Sequence, residues 1–180
     1  MKVYVLLEEG FEEIEALAVT DILRRAGIPT ELVSAKNTEY VTGSHAISVK
    51  ADIYLNKISD YDMIILPGGY PGYENLEKND SVKKLVSEAF ENNKYIAAIC
   101  GAPSVLGKWG YLKNKSACCY PSFEDLLIES KVTFDKVSHD GKIITSRGAG
   151  TSHDFAFKIV EILKNKEVAE ELQDLMLYTL

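Results

Sequence analysis

No stretch of this chain approaches the roughly 20 consecutive apolar residues that a membrane-spanning helix needs, and it carries no repeat or low-complexity tract. Basic clusters are also missing. The net charge is -7, and without a Lys/Arg block neither a nucleic acid nor an anionic membrane is the expected partner. Cysteine is scarce: three residues, two of them adjacent (Cys118, Cys119), build no disulfide framework. No C-x-x-C spacing occurs, so no metal is expected either. The opening MKVYVLLEEG is too short and too soon acidic for a secretory signal, and reads as a strand. These absences favour a reduced, cytoplasmic compartment. The 180 residues are read as one domain, 1–180, long enough to bury a good core.

What is present is an alternation of short apolar runs with helical periods. Strands are expected at Val3–Leu7, Thr30–Ser34, Met63–Leu66 and Tyr95–Ile99, with a further one at Ala117–Tyr120. Helices are expected from about Phe11 to Ala26, closed by Gly27 as the residue past the C-cap, and over Ser81–Asn92 with Asp80 as N-cap. Tyr40–Leu55 suggests a short hairpin and an edge excursion, and Ser122–Ile128 a short helix. Lys131–Ser138 and Lys142–Ser146 flank Asp140-Gly141, a strong hairpin signal. Helices from about Thr151 to Leu163 and from Glu167 to Leu177 close the chain. Apolar strands separated by helices imply a mostly parallel sheet covered on both faces, a flavodoxin-like three-layer α/β/α sandwich.

The centre of this pattern is Tyr95–Gly107, YIAAICGAPSVLG. A buried strand stops at Cys100, and Gly101, Ala102 and Pro103 open a helix at once, Pro103 suiting its first turn. Strand, sharp turn with one thiol, helix: this is the layout of a nucleophile elbow. A lone intracellular cysteine is more often an ordinary buried thiol, but the turn chemistry here argues for a reactive one. Unpaired N–H groups and the positive helix end favour thiolate, so a pKa below the roughly 8.5 of free cysteine is expected. Cys118 and Cys119, on opposite faces of their strand, have no such help.

In a parallel sheet the working crevice lies beyond the carboxyl ends of the strands. The Met63 strand ends in Gly68-Gly69, which by itself reads as a plain loop. Beside Cys100, the amides of Gly69 and Gly101 become candidates for an oxyanion hole. Glu15 heads the apolar stripe Glu15, Val19, Ile22, Ala26 of the first helix, at the end facing the crevice. Partial desolvation there should raise its pKa and make it a proton donor and relay beside the thiol. Glu12 and Glu13 are explained as solvated carboxylates near a helix N-terminus.

Four motifs in order, E-E-x-E-A in the first helix, IILPGGxxG, AAICGAP and IITSRGAGTS, span nearly the whole chain. They resemble the ThiJ/PfpI superfamily, and within it the Parkinsonism-associated deglycase and glyoxalase III-like clade. The resemblance implies a class I glutamine amidotransferase-like sandwich, a homodimer, no cofactor, and a site of reactive Cys (Cys100), protonated Glu (Glu15) and oxyanion amides (Gly69, Gly101). It implies turnover of methylglyoxal or glyoxal, removal of early glycation adducts, and redox-dependent protection. Some members are peptidases or chaperones. Two departures stand out. Where many relatives have a His after the next strand this chain has Tyr120, and a basic residue near the site appears as His45, while Arg25 is kept. All three are candidate substrate contacts. A phenol is a poor general base near neutral pH, which weakens the Cys-His peptidase alternative; His139 and His153 are expected at the surface. A flavin carrier of the same fold would need a phosphate cradle after strand one, where Glu8, Glu9, Glu12 and Glu13 stand instead. A redox sensor or stress chaperone needs only Cys100 and stays open.

Overall fold

The computed structural model describes residues 1–178. In chain order the elements are β1 (Val3–Leu7), α1 (Glu13–Arg25), β2 (Thr30–Ser34), β3 (Tyr40–Thr42), β4 (Ser48–Lys50), β5 (Ile53–Tyr54), β6 (Met63–Leu66), α2 (Gly72–Lys78), α3 (Asp80–Glu91), β7 (Tyr95–Ile99), α4 (Ala102–Lys108), β8 (Ser116–Ala117), β9 (Lys131–Val132), β10 (Val137–Asp140), β11 (Ile143–Ser146), α5 (Ser152–Leu163) and α6 (Lys166–Leu175). The main sheet runs β10-β11-β7-β6-β1-β2-β5, and every pairing in it is parallel except the β10–β11 hairpin.

Period-two alternation along each central strand divides the core. Val3, Val5, Leu7, Met63, Ile65, Ala97 and Ile99 face α1, α5 and α6, where Val19, Ile22, Phe155 and Ile159 meet them. Tyr4, Leu6, Ile64, Leu66, Ile96 and Ala98 face α2, α3 and α4, against Leu76, Val82, Val86 and Leu106. Both faces are covered, which is why these strands are uninterrupted apolar runs rather than alternating ones. The mostly parallel sheet between helical layers is the flavodoxin-like arrangement. Among the described residues no helix is long and apolar enough to cross a membrane.

Local chemistry accounts for the boundaries. Gly27 ends α1 at φ +65°, its N–H donating to Arg24 O and that of Ile28 to Leu23 O, a left-handed closure that glycine makes without strain. The β3–β4 hairpin and the edge strand β5 fill the Tyr40–Leu55 excursion. Five expectations change, the first being the strand over Lys131–Ser138, which divides into β9, paired with β8, and β10, paired with β11. Helix α1 starts at Glu13, because Glu12 holds the cap: its side chain accepts from Glu15 N at 2.8 Å. Asn79, not Asp80, caps α3, accepting from Ser81 N and Val82 N. The strand expected over Ala117–Tyr120 shrinks to Ser116–Ala117, paired with β9 outside the main sheet, and Cys118 and Cys119 lie beyond it as loop residues. Instead of a helix over Ser122–Ile128 there is one 3-10 turn, Glu124–Leu126.

Candidate active site

β7 delivers Cys100 to the crevice in a left-handed conformation, φ +65°, a state that costs a non-glycine residue about 1–2 kcal/mol. Its neighbours hold it there. Cys100 N donates to Ser146 O of β11 at 3.0 Å, and Cys100 O accepts from Tyr120 N at 2.9 Å. Gly101 follows as N-cap of α4, with Pro103 in the first turn. The amides of Gly69 and Gly101 both donate toward the thiol.

Glu15 reaches the same point from the first turn of α1. Its side chain is fully buried; Oε2 accepts from Gly68 N at 2.8 Å, while Oε1 has no hydrogen-bond partner. Gly68 is the spacer between the two groups: a Cβ built on it would lie 2.6 Å from Cys100 Cβ and 2.8 Å from Glu15 Oε2. Burial, with the charge of Glu12 adding, raises the Glu15 carboxyl to about 7, against the Gly68 amide and the Cys100 thiol. Burial also pushes the Cys100 thiol up to about 12, with the charge and hydrogen bond of Glu15 next and the Gly69 and Gly101 amides opposing. The expected acidic thiol is therefore corrected: desolvation and the neighbouring carboxylate outweigh the start of a two-turn helix. The pair shares one negative charge, and a thiolate at Cys100 calls for the proton to sit on Glu15. Burial raises Cys118, and raises Cys119 to about 12; at 0% and 3% exposure these two thiols are closed to solvent.

The remaining candidates divide. Tyr120 stands at the site: its amide is bonded to Cys100, and its ring lies 3.4 Å from a Cβ built on Gly148, which in turn would be 3.9 Å from Glu15 Oε1. His45 sits beside α1, its amide and Nδ1 bonded to Glu13 at 2.7 and 2.9 Å. Glu12 and Glu13 are not the solvated carboxylates expected. Glu13 is buried to accept from His45 and Ile47; burial works against its charge, but the His45 ring and amide hold its pKa below the ordinary value. Glu12, Glu13 and His45 bring ligand-type atoms within 4.8 Å of one another, a grouping no C-x-x-C criterion detects. Arg25 is not brought to Cys100 within one chain. It lies in the last turn of α1, paired with Asp21 at 2.6 Å, about 15 Å along the axis from Glu15 at 1.5 Å per residue. His139 bonds Gly141 O and His153 stacks on Tyr178. Gly148 and Tyr73, whose ring lies against Gly101, were not singled out in sequence; the only signal for Gly148 was its place in IITSRGAGTS.

Comparison with known proteins identifies the family. A family model described as DJ-1/PfpI matches residues 1–162. Protein DJ-1 homolog B of Arabidopsis thaliana is 39% identical over 95% of this chain, which spans only 40% of that relative's length. Glutathione-independent glyoxalase DJR-1.2 of Caenorhabditis elegans is 33% identical, covering 93% of this chain and 91% of the relative. The structure of oxidized Toxoplasma gondii DJ-1 superposes with a TM-score of 0.95 at 36% identity over 99% of both chains. This chain belongs to the DJ-1/PfpI family.

Proposed function

We propose that the protein is a cofactor-free enzyme acting on small 2-oxoaldehydes or their glycation adducts, with Cys100 as nucleophile and Glu15 as proton relay. The observation that carries this is the fully buried Glu15 carboxyl, hydrogen-bonded to the Cys100 thiol and with its Oε1 left without a partner. A carboxyl held near neutrality in that place is a proton donor poised to become a base. The Cys100 thiolate adds to the aldehyde carbon of methylglyoxal, and the amides of Gly69 and Gly101 hold the developing oxyanion. Glu15 gives its proton to that oxygen, forming a hemithioacetal. As carboxylate it then takes the proton from the former aldehyde carbon and returns it to the neighbouring carbon through an enediol, while the hydroxyl proton passes from the first oxygen to the second. The aldehyde carbon is oxidised to a thioester and the ketone carbon reduced to an alcohol, so no external oxidant or reductant enters. Water releases lactate and restores the thiol.

The test is methylglyoxal consumption without glutathione, with lactate measured as product. The parent should turn over, and Cys100→Ser should fall to background. A parent at background, or an active Cys100→Ser, rejects the reading. Tyr120 in this scheme shapes the pocket or donates one hydrogen bond. A second reading, redox sensing through Cys100 without turnover, is favoured by its being the least buried of the three thiols; it is the outcome if peroxide modifies Cys100 in a protein that consumes no aldehyde. A peptidase lacks its base, since His139 and His153 are engaged elsewhere.

The working form is proposed to be a cytoplasmic homodimer. Ile14 of α1, Tyr40 and Ile47 of the adjoining hairpin are each more than half exposed, and Ser44 N donates to Phe11 O to hold that hairpin against the start of α1. Exposed apolar side chains on these adjoining elements suit a partner surface. Light scattering should give twice the 20.0 kDa chain mass at micromolar concentration; a monomer contradicts it.

A further inference from the structure

Four aromatic rings form a continuous arc beside Cys100. Tyr70 and Tyr73 are 6.5 Å apart between centroids, Tyr73 meets Phe123 edge-on at 5.6 Å, and Phe123 meets Tyr120 edge-on at 6.1 Å. Both ends of the central part are anchored at the elbow. The Tyr73 ring lies against Gly101, with its atoms 2.8–3.1 Å from where a Cβ would stand, and the Tyr120 ring lies against Gly148, next to Glu15 Oε1. Their backbones are tied down as well, Tyr73 N donating to Gly69 O and Tyr120 N to Cys100 O. Phe123 packs on the core, whereas Tyr70 and Tyr120 are 69% and 49% exposed. A methyl group needs no such wall. Offset or edge-on aromatic contacts favour a flat π-system over a saturated group of similar size, by an amount equivalent to about two- to tenfold in an equilibrium or rate.

We propose that Tyr70, Tyr73, Phe123 and Tyr120 form the wall that receives the substituent of the 2-oxoaldehyde, and that the enzyme prefers flat aromatic 2-oxoaldehydes to small alkyl ones. The proposal rests on the Cys100–Glu15 chemistry above and deepens it. The reacting carbons are the same: phenylglyoxal would add through its aldehyde carbon, isomerise through Glu15 and leave as mandelate after one water is taken up. Tyr73 and Tyr120 are specificity residues in this scheme, since they meet the substituent rather than the reacting atoms.

The experiment compares kcat/KM for phenylglyoxal, cyclohexylglyoxal and methylglyoxal in the full chain and in Tyr73→Leu, Tyr70→Leu and Tyr73→Phe. Because intrinsic aldehyde reactivity is common to all the proteins, the quantity read is the change in the phenyl-to-cyclohexyl ratio between parent and variant. Tyr73→Leu should lower that ratio about three- to tenfold, and Tyr73→Phe, which keeps the ring, should restore it to within twofold of the parent. Tyr70→Leu changes only an exposed ring and serves if Tyr73→Leu does not fold; it should lower the ratio in the same direction. If the parent consumes methylglyoxal but neither Leu variant moves the ratio by more than twofold, the aromatic wall is rejected and the Cys100–Glu15 chemistry stands. If the parent consumes none of the three aldehydes, both fall together.

Discussion

Glu15→Gln is expected to lower methylglyoxal turnover by about a hundredfold or more and, at the same time, to raise stability at alkaline pH. The first effect follows from the relay: Gln keeps an acceptor for the Gly68 amide but cannot pass a proton between oxygen and carbon. Tyr120→Phe removes only a hydroxyl, on the order of 1 kcal/mol, and should stay within tenfold of the parent. A collapse of Tyr120→Phe to the Cys100→Ser level would make the tyrosine a third catalytic member. The second effect is a matter of linkage. Burial raises the folded-state pKa of Glu15 from 4.5 to about 7, so between those values the folded protein holds a proton that the unfolded chain has lost. Stability therefore falls as pH rises from 4.5, and the full penalty, about 3 kcal/mol at 1.36 kcal/mol per pKa unit, is present above 7. Gln carries no such penalty. Its melting temperature should exceed the parent's by about 6–12 °C at pH 8 and match it near pH 4.5, at 2–4 °C per kcal/mol for a chain of this size. Parallel melting curves across that range would show that Glu15 is not held protonated. The same titration sets the sign of the rate profile. The pair loses its first proton near 7, so kcat/KM of the parent should rise through that pH.

Gly69→Ala should be the most damaging single methyl in the crevice. Gly69 sits at φ +88°, and a Cβ there would lie 2.3 Å from Glu12 N and 2.5 Å from Gly10 O, both backbone atoms that cannot swing aside. Left-handed strain of about 1–2 kcal/mol combines with overpacking of about 1–3 kcal/mol. A loss of about 3 kcal/mol corresponds to a melting temperature lower by about 6–12 °C. Turnover should fall as well, because the Gly69 amide is displaced from Cys100. Gly150→Ala is the control: nothing lies within 4 Å of its added carbon, and it should change stability by no more than about 0.5 kcal/mol. Equal melting temperatures for the two variants would mean that the Gly69 loop yields.

Most of the sandwich was readable because its strands are buried on both faces, which makes Val3–Leu7 and Met63–Leu66 unbroken apolar runs. Glu15 was readable for a related reason: a carboxylate in phase with Val19 and Ile22 must point where they point. The features missed are those set by distant parts of the chain. Helix α2 has seven residues, too few for a 3.6-residue period to declare itself. Asn79 and Asp80 are both good caps, and only the fold decides, by giving the Asn79 amide to Glu8 and Ala35. The helix dipole at Cys100 was legible, but what opposes it is burial by the folded chain and the charge of Glu15, 85 positions away. Gly148, near Glu15 Oε1, and Tyr73, against Gly101, are likewise brought in by topology, with no local pattern to announce them.

The glycine contacts beneath the crevice also limit traffic. Gly10 and Gly72 touch backbone to backbone, Gly72 N donating to Gly10 O at 3.1 Å, and a Cβ on Gly10 would strike the Pro71 ring at 2.4 Å. On that flank the loops after β1 and β6 are in direct backbone contact. The exposed rings of Tyr70 and Tyr120 stand on the open side, where the proposed substrate would enter. In the proposed scheme a bulky acyl group on Cys100 would screen its own thioester from water. Chain length and bulk of the substrate should consequently tell on the release step more than on capture, and pre-steady-state bursts should grow with substituent size.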